Sequence, residues 1–496
     1  MNNLRDSKTA RWTALVFLAF AMFCAYIFMD ILSPVKSILE STRGWDSTAF
    51  GTYAGSETFL NVFIGFLIFA GIILDKMGVR FTALLSGFVM ILGAAINWYS
   101  VTEMFVGTGL EAWFNHNLNY IPGFDELGVS PFYRGMPASA KLASVGFMVF
   151  GCGVEMAGIT VSRGIVKWFK GKELALAMGS EMALARLGVA SCMIFSPLIA
   201  KANIFGGANV SHSVAFGVLL LIIAFIMFIA YFFMDKKLDA QGIAEEKDDP
   251  FKVRDIGKIF ASSGFWLVAL LCVLYYSAIF PFQKYAVNML QCNLGFSETQ
   301  AGTVFAFFPI LAAIITPFLG NFIDRRGKAA SMLMLGSILL IVCHLIFAFV
   351  LPMFRPEIAA NGEVIGEASM AGIVLALTTI LILGASFSLV PASLWPSVPK
   401  LVDSKVIGSA YALIFWIQNI GLWLFPLLIG KILTSSNQDV INSTIIDDKF
   451  KPVLYDYTNP LVMLACLGAV ALVLGFILKI VDKKKGLGLE LPNIKK

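Results

Sequence analysis

Apolar residues in this chain gather in long blocks rather than in amphipathic stripes, and short polar segments separate the blocks. A hydrocarbon core of ~30 Å is crossed by about 20 apolar helical residues. Blocks of that size predict twelve spans, at 12–38, 50–74, 80–100, 142–167, 174–199, 213–234, 263–288, 299–322, 330–353, 370–397, 408–433 and 460–481. The expected class is an all-α membrane protein with two pseudo-symmetric six-helix bundles, 1–234 and 263–496, joined by a linker at 235–262. The linker carries the polar run Asp239-Ala-Gln-Gly-Ile-Ala-Glu-Glu-Lys-Asp-Asp-Pro250.

Composition agrees. The chain is 58% hydrophobic and 14% charged over 496 residues, too apolar for a soluble protein of this size. Its 44 Phe and 43 Gly suit lipid-facing bulk and close helix contacts. A polar head and a first block without a small-residue cleavage site read as a retained first span. Twenty-six of the 37 Lys and Arg fall in loops on the side of the chain ends, and nine on the other. Both termini are therefore expected in the cytoplasm. The insert 101–141 then lies on the opposite face, placed to fold over the entrance.

Several functions are disfavoured. Seven scattered Cys make no disulfide framework, and three distant His show no metal-ligand spacing. No Gly-x-x-x-x-Gly-Lys-Ser/Thr loop is present, so ATP does not drive this chain directly. No basic tract with interleaved aromatics points to nucleic acid. The expectation is a monomeric carrier in a lipid bilayer, not an enzyme, with no cofactor.

An internal repeat is the strongest pattern. Gly44-Trp-Asp-Ser-Thr48-Ala-Phe-Gly51-Thr52 matches Gly295-Phe-Ser-Glu-Thr299-Gln-Ala-Gly302-Thr303. One span later, Gly71-Ile-Ile-Leu-Asp75-Lys-Met-Gly78 matches Gly320-Asn-Phe-Ile-Asp324-Arg-Arg-Gly327. Tandem helical halves with matched segments are a transporter architecture. Gly71 and Gly320 are expected to let a helix approach its neighbour, and Gly78 and Gly327 to permit a tight turn.

These residues resemble the loop between the second and third helices of each half in the major facilitator superfamily. Gly320, Asp324, Arg325, Arg326, Gly327 and Lys328 follow the signature; Gly71, Asp75, Lys76, Gly78 and Arg80 form the other copy, with Lys76 where Arg is usual. Asp75, Arg80, Asp324 and Arg325 are then gate residues or ties for the loop. A narrower likeness, to the lysosomal dipeptide transporter branch, rests on Ser388-Leu-Val-Pro-Ala-Ser-Leu-Trp395-Pro-Ser-Val-Pro399, on Gly408-Ser-Ala-Tyr-Ala-Leu, on Gln418-Asn419-Ile-Gly421, and on Glu155 followed by Arg186. It implies that Glu155 and Arg186 hold the two ends of a dipeptide.

A charge at the bilayer centre needs a partner or a wet cavity. Glu155 and Arg186 fall at the middles of consecutive spans, so they share a depth. A carboxylate holds an ammonium, and a guanidinium holds a carboxylate by two parallel bonds. The pair suits a zwitterion; the alternative is a structural Glu–Arg pair. Asp30, one turn before Pro34, is a substrate or proton site, or else pairs with Lys36. Glu57 is a second proton candidate. Lys284 gates or binds substrate, or snorkels from an outer helix end. Glu181 points away from Arg186 and is expected near Arg163. Tyr276 and Asn419 offer polar tips at mid-depth, with packing as the alternative, and Trp395 among its prolines is an inner gate. The expected function is carriage of small zwitterions, foremost dipeptides, by uniport or proton symport, in a bacterial cytoplasmic membrane. An organic anion or drug-like solute is the alternative cargo.

Overall fold

The computed structural model describes residues 4–125, 130–202, 208–241, 253–358, 364–402, 407–444 and 453–492. Among these, 11 helices are long and apolar enough to cross a bilayer. One of them, Phe66–Ser100, is two spans, because Gly78 leaves helical geometry at φ 76°, ψ 169°. Its first part continues Ser47–Phe63 past a left-handed Gly65. The twelve spans, numbered in order, are thus Lys8–Arg43, 47–77, 79–100, Ala138–Phe169, Leu174–Ala200, Val210–Asp239, Ser263–Leu294, Glu298–Arg326, Ala329–Phe354, Met370–Leu401, Ile407–Ser436 and Thr458–Lys485. Of the predicted linker, 242–252 lies outside the described residues; Val253–Phe260 is a short helix. The only strands among the described residues form a two-residue hairpin pairing Glu357–Ile358 with Val364–Ile365.

With an even number of spans both chain ends share one face, called proximal here; the other is distal. The repeat predicted from sequence recurs in geometry. Gly44 and Gly295 end spans 1 and 7 in the left-handed region at φ 66° each. Asp46 then caps span 2, accepting from the Ala49 amide at 2.7 Å. Ser297 caps span 8, its Oγ accepting from the Gln300 amide while its own amide donates to Gln300 Oε1. Gly78 and Gly327 both turn with positive φ, as a residue without Cβ can. Span 1 also breaks where Pro34 predicts. Its helix stops at Met29, passes through a tight turn at Ser33–Val35, and resumes at Lys36.

Distal ends of the two halves meet tightly. Thr48 donates to Thr434 at 2.8 Å, and Ser37 to Glu298 at 2.8 Å. Glu298 also pairs with Lys201, and Tyr455 bonds Glu40. Helix backbones touch through glycine. Gly51 and Gly55 of span 2 lie against the carbonyls of Pro426 and Trp423 in span 11. Gly302 of span 8 lies against the Met193 carbonyl in span 5.

The expected close approach at Gly71 and Gly320 is corrected: a Cβ at either would meet nothing within 4 Å. Both lie toward the proximal face, away from the distal seam, where Phe69, Ile72 and Phe318 are also exposed. Part of the insert 101–141 lies against the flank of span 2, with Phe124 ringed against Phe59 and Phe63, and Tyr133 donates to Asp46 at the distal start of that span at 3.2 Å.

A methyl group at Gly51 or Gly302 would have to displace backbone. Gly51→Ala and Gly302→Ala should each cost about 1–3 kcal/mol by overpacking, read as a lower thermal midpoint of the purified protein. Gly320→Ala should not lower it.

Candidate functional site

Spans 4 and 5 are consecutive and antiparallel, and they bring Glu155 and Arg186 to mid-depth. The two do not pair with each other. Each reaches across to the opposite half. Glu155 accepts from Asn419 Nδ2 of span 11 at 3.2 Å. Arg186 Nη1 donates to the Ala312 carbonyl at 2.6 Å and to Thr316 Oγ1 at 2.5 Å, both on span 8. Its guanidinium lies 5.1 Å from the Phe387 ring centre of span 10. Both side chains are half-buried, so they border space between the halves rather than filling a packed core. Gly158 and Gly179, on the same two spans, likewise face open space.

Among the described residues, each of these charges is answered only by neutral groups. An amide, a carbonyl, a hydroxyl and a ring face orient a charge without neutralising it. Tyr26 of span 1 is half-buried within electrostatic reach of Glu57, Glu155, Glu181 and Arg186. It carries a hydroxyl into the same space. Glu181 does not meet Arg163, as expected from sequence; Arg163 pairs with Asp75 at 2.7 Å. Glu181 is nearly buried on span 5.

Tyr276 and Trp395 meet: the indole Nε1 donates to the phenol oxygen at 3.1 Å. Trp395 begins a tight turn, Trp395–Ser397, that ends the regular helix of span 10. It stacks on Phe415 at 4.8 Å, and Tyr411 donates to its carbonyl at 3.1 Å. Neighbouring Tyr275 turns the other way and bonds Ser337 at 2.5 Å, which makes it a packing residue.

Asp30 and Lys284 form a second constellation, nearer the distal seam. Lys284 Nζ lies 2.9 Å from Asp30, 3.8 Å from Glu57 and 2.6 Å from the Met29 carbonyl. Gln283 donates to the other Asp30 oxygen at 2.7 Å, and Ser33 donates at 3.3 Å. Two sequence expectations are corrected here. Lys36 pairs with Glu40 and leaves Asp30 to Lys284. Lys284 does not snorkel, because it sits ten residues inside the distal end of span 7 and is 8% exposed. Since Asp30 and Glu57 belong to one half and Lys284 to the other, the cluster ties the halves together.

Asp75 and Arg80 of the first signature loop bond within their own half. Arg80 pairs with Asp239 at 3.0 Å, and Lys167 reaches Asp235 and Asp239 at 2.6 Å each. Asp324 is half-buried at the end of span 8, and Arg325 beside it is exposed. The Gly327 turn packs on residues 490–492.

Sequence reasoning missed Gln283, Thr316, Phe387 and Tyr26. Gln283 and Tyr26 are polar groups inside spans and could have been flagged. Thr316 and Phe387 gain their place only through contact with span 5.

The profile of the Major Facilitator Superfamily matches residues 127–426. The lysosomal dipeptide transporter MFSD1 of Danio rerio is 29% identical over 301 residues, 59% of this chain and 60% of that protein. The match thus spans about three fifths of the relative's length. Among solved structures, a mutant of the nucleoside transporter NupG superposes with a TM-score of 0.64 at 13% identity, covering 94% of this chain and 98% of that one. A D-xylose-proton symporter gives 0.64 at 12% identity, covering 95% and 98%.

Removing Lys284 would leave two buried carboxylates without their cation. Lys284→Met should weaken the distal closure by about 3–5 kcal/mol. The thermal midpoint should drop, and adding Asp30→Asn to that variant should restore part of the loss.

Proposed function

We propose, on the premise that this chain belongs to the Major Facilitator Superfamily, that it is a monomeric carrier of small zwitterions, dipeptides foremost, working by alternating access. The observation that carries the reading is that Glu155 and Arg186 face the space between the halves at one depth, unpaired with each other and held only by neutral groups. A dipeptide ammonium would replace Asn419 at Glu155, and its carboxylate would draw Arg186 from Ala312 and Thr316. Both exchanges give a charge an opposite charge, and both loosen a bond between the halves. The likeness to a relative named a lysosomal dipeptide transporter supports the same cargo.

Asn419 and Tyr276 are the proposed neutral contacts to substrate, with Trp395 as proximal gate. Asp30, Glu57 and Lys284 are the proposed distal latch. Asp30 and Glu57 are also where a proton would enter if transport is proton-coupled, because protonating either weakens the hold on Lys284. Asp75, Arg80, Asp324 and Arg325 are proposed to hold the proximal loops. The excess of Lys and Arg on the proximal side supports chain ends in the cytoplasm. The proposed membrane is a bacterial cytoplasmic one.

The test is thermal stabilisation of the purified protein by dipeptides, amino acids and dicarboxylates. A ligand at 100 times its dissociation constant adds ~2.7 kcal/mol. Dipeptides should raise the midpoint of wild type and fail to do so in Glu155→Gln and Arg186→Ala. Wild-type shifts in both variants would remove the site assignment. Stabilisation by dicarboxylates that needs Arg186 but not Glu155 would replace dipeptides by an organic anion.

A further inference from the structure

The described part of the insert between spans 3 and 4 is tied down by Lys141 and by packing, yet it exposes large apolar side chains. Lys141 Nζ donates to the Phe114 carbonyl at 2.9 Å, the Asn117 carbonyl at 3.0 Å and Asn119 Oδ1 at 2.9 Å. Phe114 is buried with Phe105, Ala138 and Leu142. The short helix Gly109–His116 is thereby fixed with one side inward. On its other side Leu110 is 43% and Trp113 49% exposed, and Tyr120 beyond it is 60% exposed.

The segment also reaches far down the bundle. Phe124 packs 4.7 Å from Phe63, ring centre to ring centre, and Phe63 packs 4.8 Å from Trp423 of span 11. Phe63 lies 16 residues beyond Ser47, the distal start of its helix. At 1.5 Å per residue that is ~24 Å along the helix axis from its distal start. The turn that carries Phe124 pairs part of its backbone internally, while the Asp125 carboxylate beside it is exposed and within electrostatic reach of Lys431 on span 11. The Phe124 amide and that of Asp125 donate to the Ile121 carbonyl at 3.1 and 3.2 Å, and the Ile121 amide donates to Ser130 Oγ at 3.1 Å.

We propose that this insert is a membrane-surface element. Leu110, Trp113 and Tyr120 lie at the boundary of headgroups and acyl chains in the distal leaflet, and Phe124 anchors the segment against the seam between spans 2 and 11. Half-buried Phe124 packs on the 41% exposed Phe63 of span 2, so the exposed side chains of the insert stand beside a membrane-spanning helix. Trp and Tyr are the residues that favour this depth. A bilayer is therefore the occupant that the surface fits.

Spin labels test the placement in the full chain reconstituted in phosphatidylcholine vesicles without other proteins. Cys466 is the one exposed cysteine among the described residues, so Cys466→Ser is the background. Labels at Leu110→Cys and Trp113→Cys should be several-fold more accessible to oxygen than to a water-soluble nickel chelate. A label at Asn115→Cys, about 140° around the helix from Leu110, should show the reverse. Nickel-dominated accessibility at both Leu110 and Trp113 would overturn the proposal and leave the patch to a protein partner.

Discussion

A charge inside a bilayer has to be answered by the protein, and this chain answers its buried charges in two ways. Asp30 and Lys284 are answered by charge, at 2.9 Å, with Gln283 and the Met29 carbonyl completing the shell. Glu155 and Arg186 are answered by dipoles and a ring face. The first arrangement is self-sufficient and holds the halves together. The second leaves two opposite charges under-compensated at one depth, and a zwitterion would complete them. Position in the fold decides which is which, since Lys284 comes from the other half whereas Glu155 and Arg186 stand on consecutive helices of one half and do not pair with each other.

Glycine distributes the close packing along the same axis. Gly51, Gly55 and Gly302 seat backbone on backbone at the distal seam, while Gly71, Gly158, Gly179 and Gly320 face open space. The halves are therefore shut distally, and the mid-depth charges sit just below that closure. Under the proposed function, cargo that pulls Arg186 off span 8 and Asn419 off Glu155 acts on bonds that join the halves. Binding and rearrangement then share the same atoms.

Local features were legible in the sequence because local chemistry sets them. The turns at Gly78 and Gly327 and the break before Pro34 were read from the sequence; the left-handed Gly44 and Gly295 and the caps at Asp46 and Ser297 were not, though they too follow from residues within one turn. Twelve spans followed from block length. Pairing was less legible, because sequence offers near neighbours first. Lys36 is closer in sequence to Asp30 than Lys284 is, yet Lys36 meets Glu40 one turn on. Arg163 was assigned to Glu181 but binds Asp75 across a helix pair. The depth shared by Glu155 and Arg186 could be read from span centres. Their grip on spans 8 and 11 could not, since it depends on how the two halves close.

Counterflow of a labelled dipeptide in proteoliposomes tests the central claim most directly, with capped analogues as competitors. If Glu155 receives the ammonium and Arg186 the carboxylate, a free dipeptide competes, whereas its N-acetylated and C-amidated forms do not. N-acetyl and free dipeptide that compete equally, in wild type as in Glu155→Gln, would contradict it.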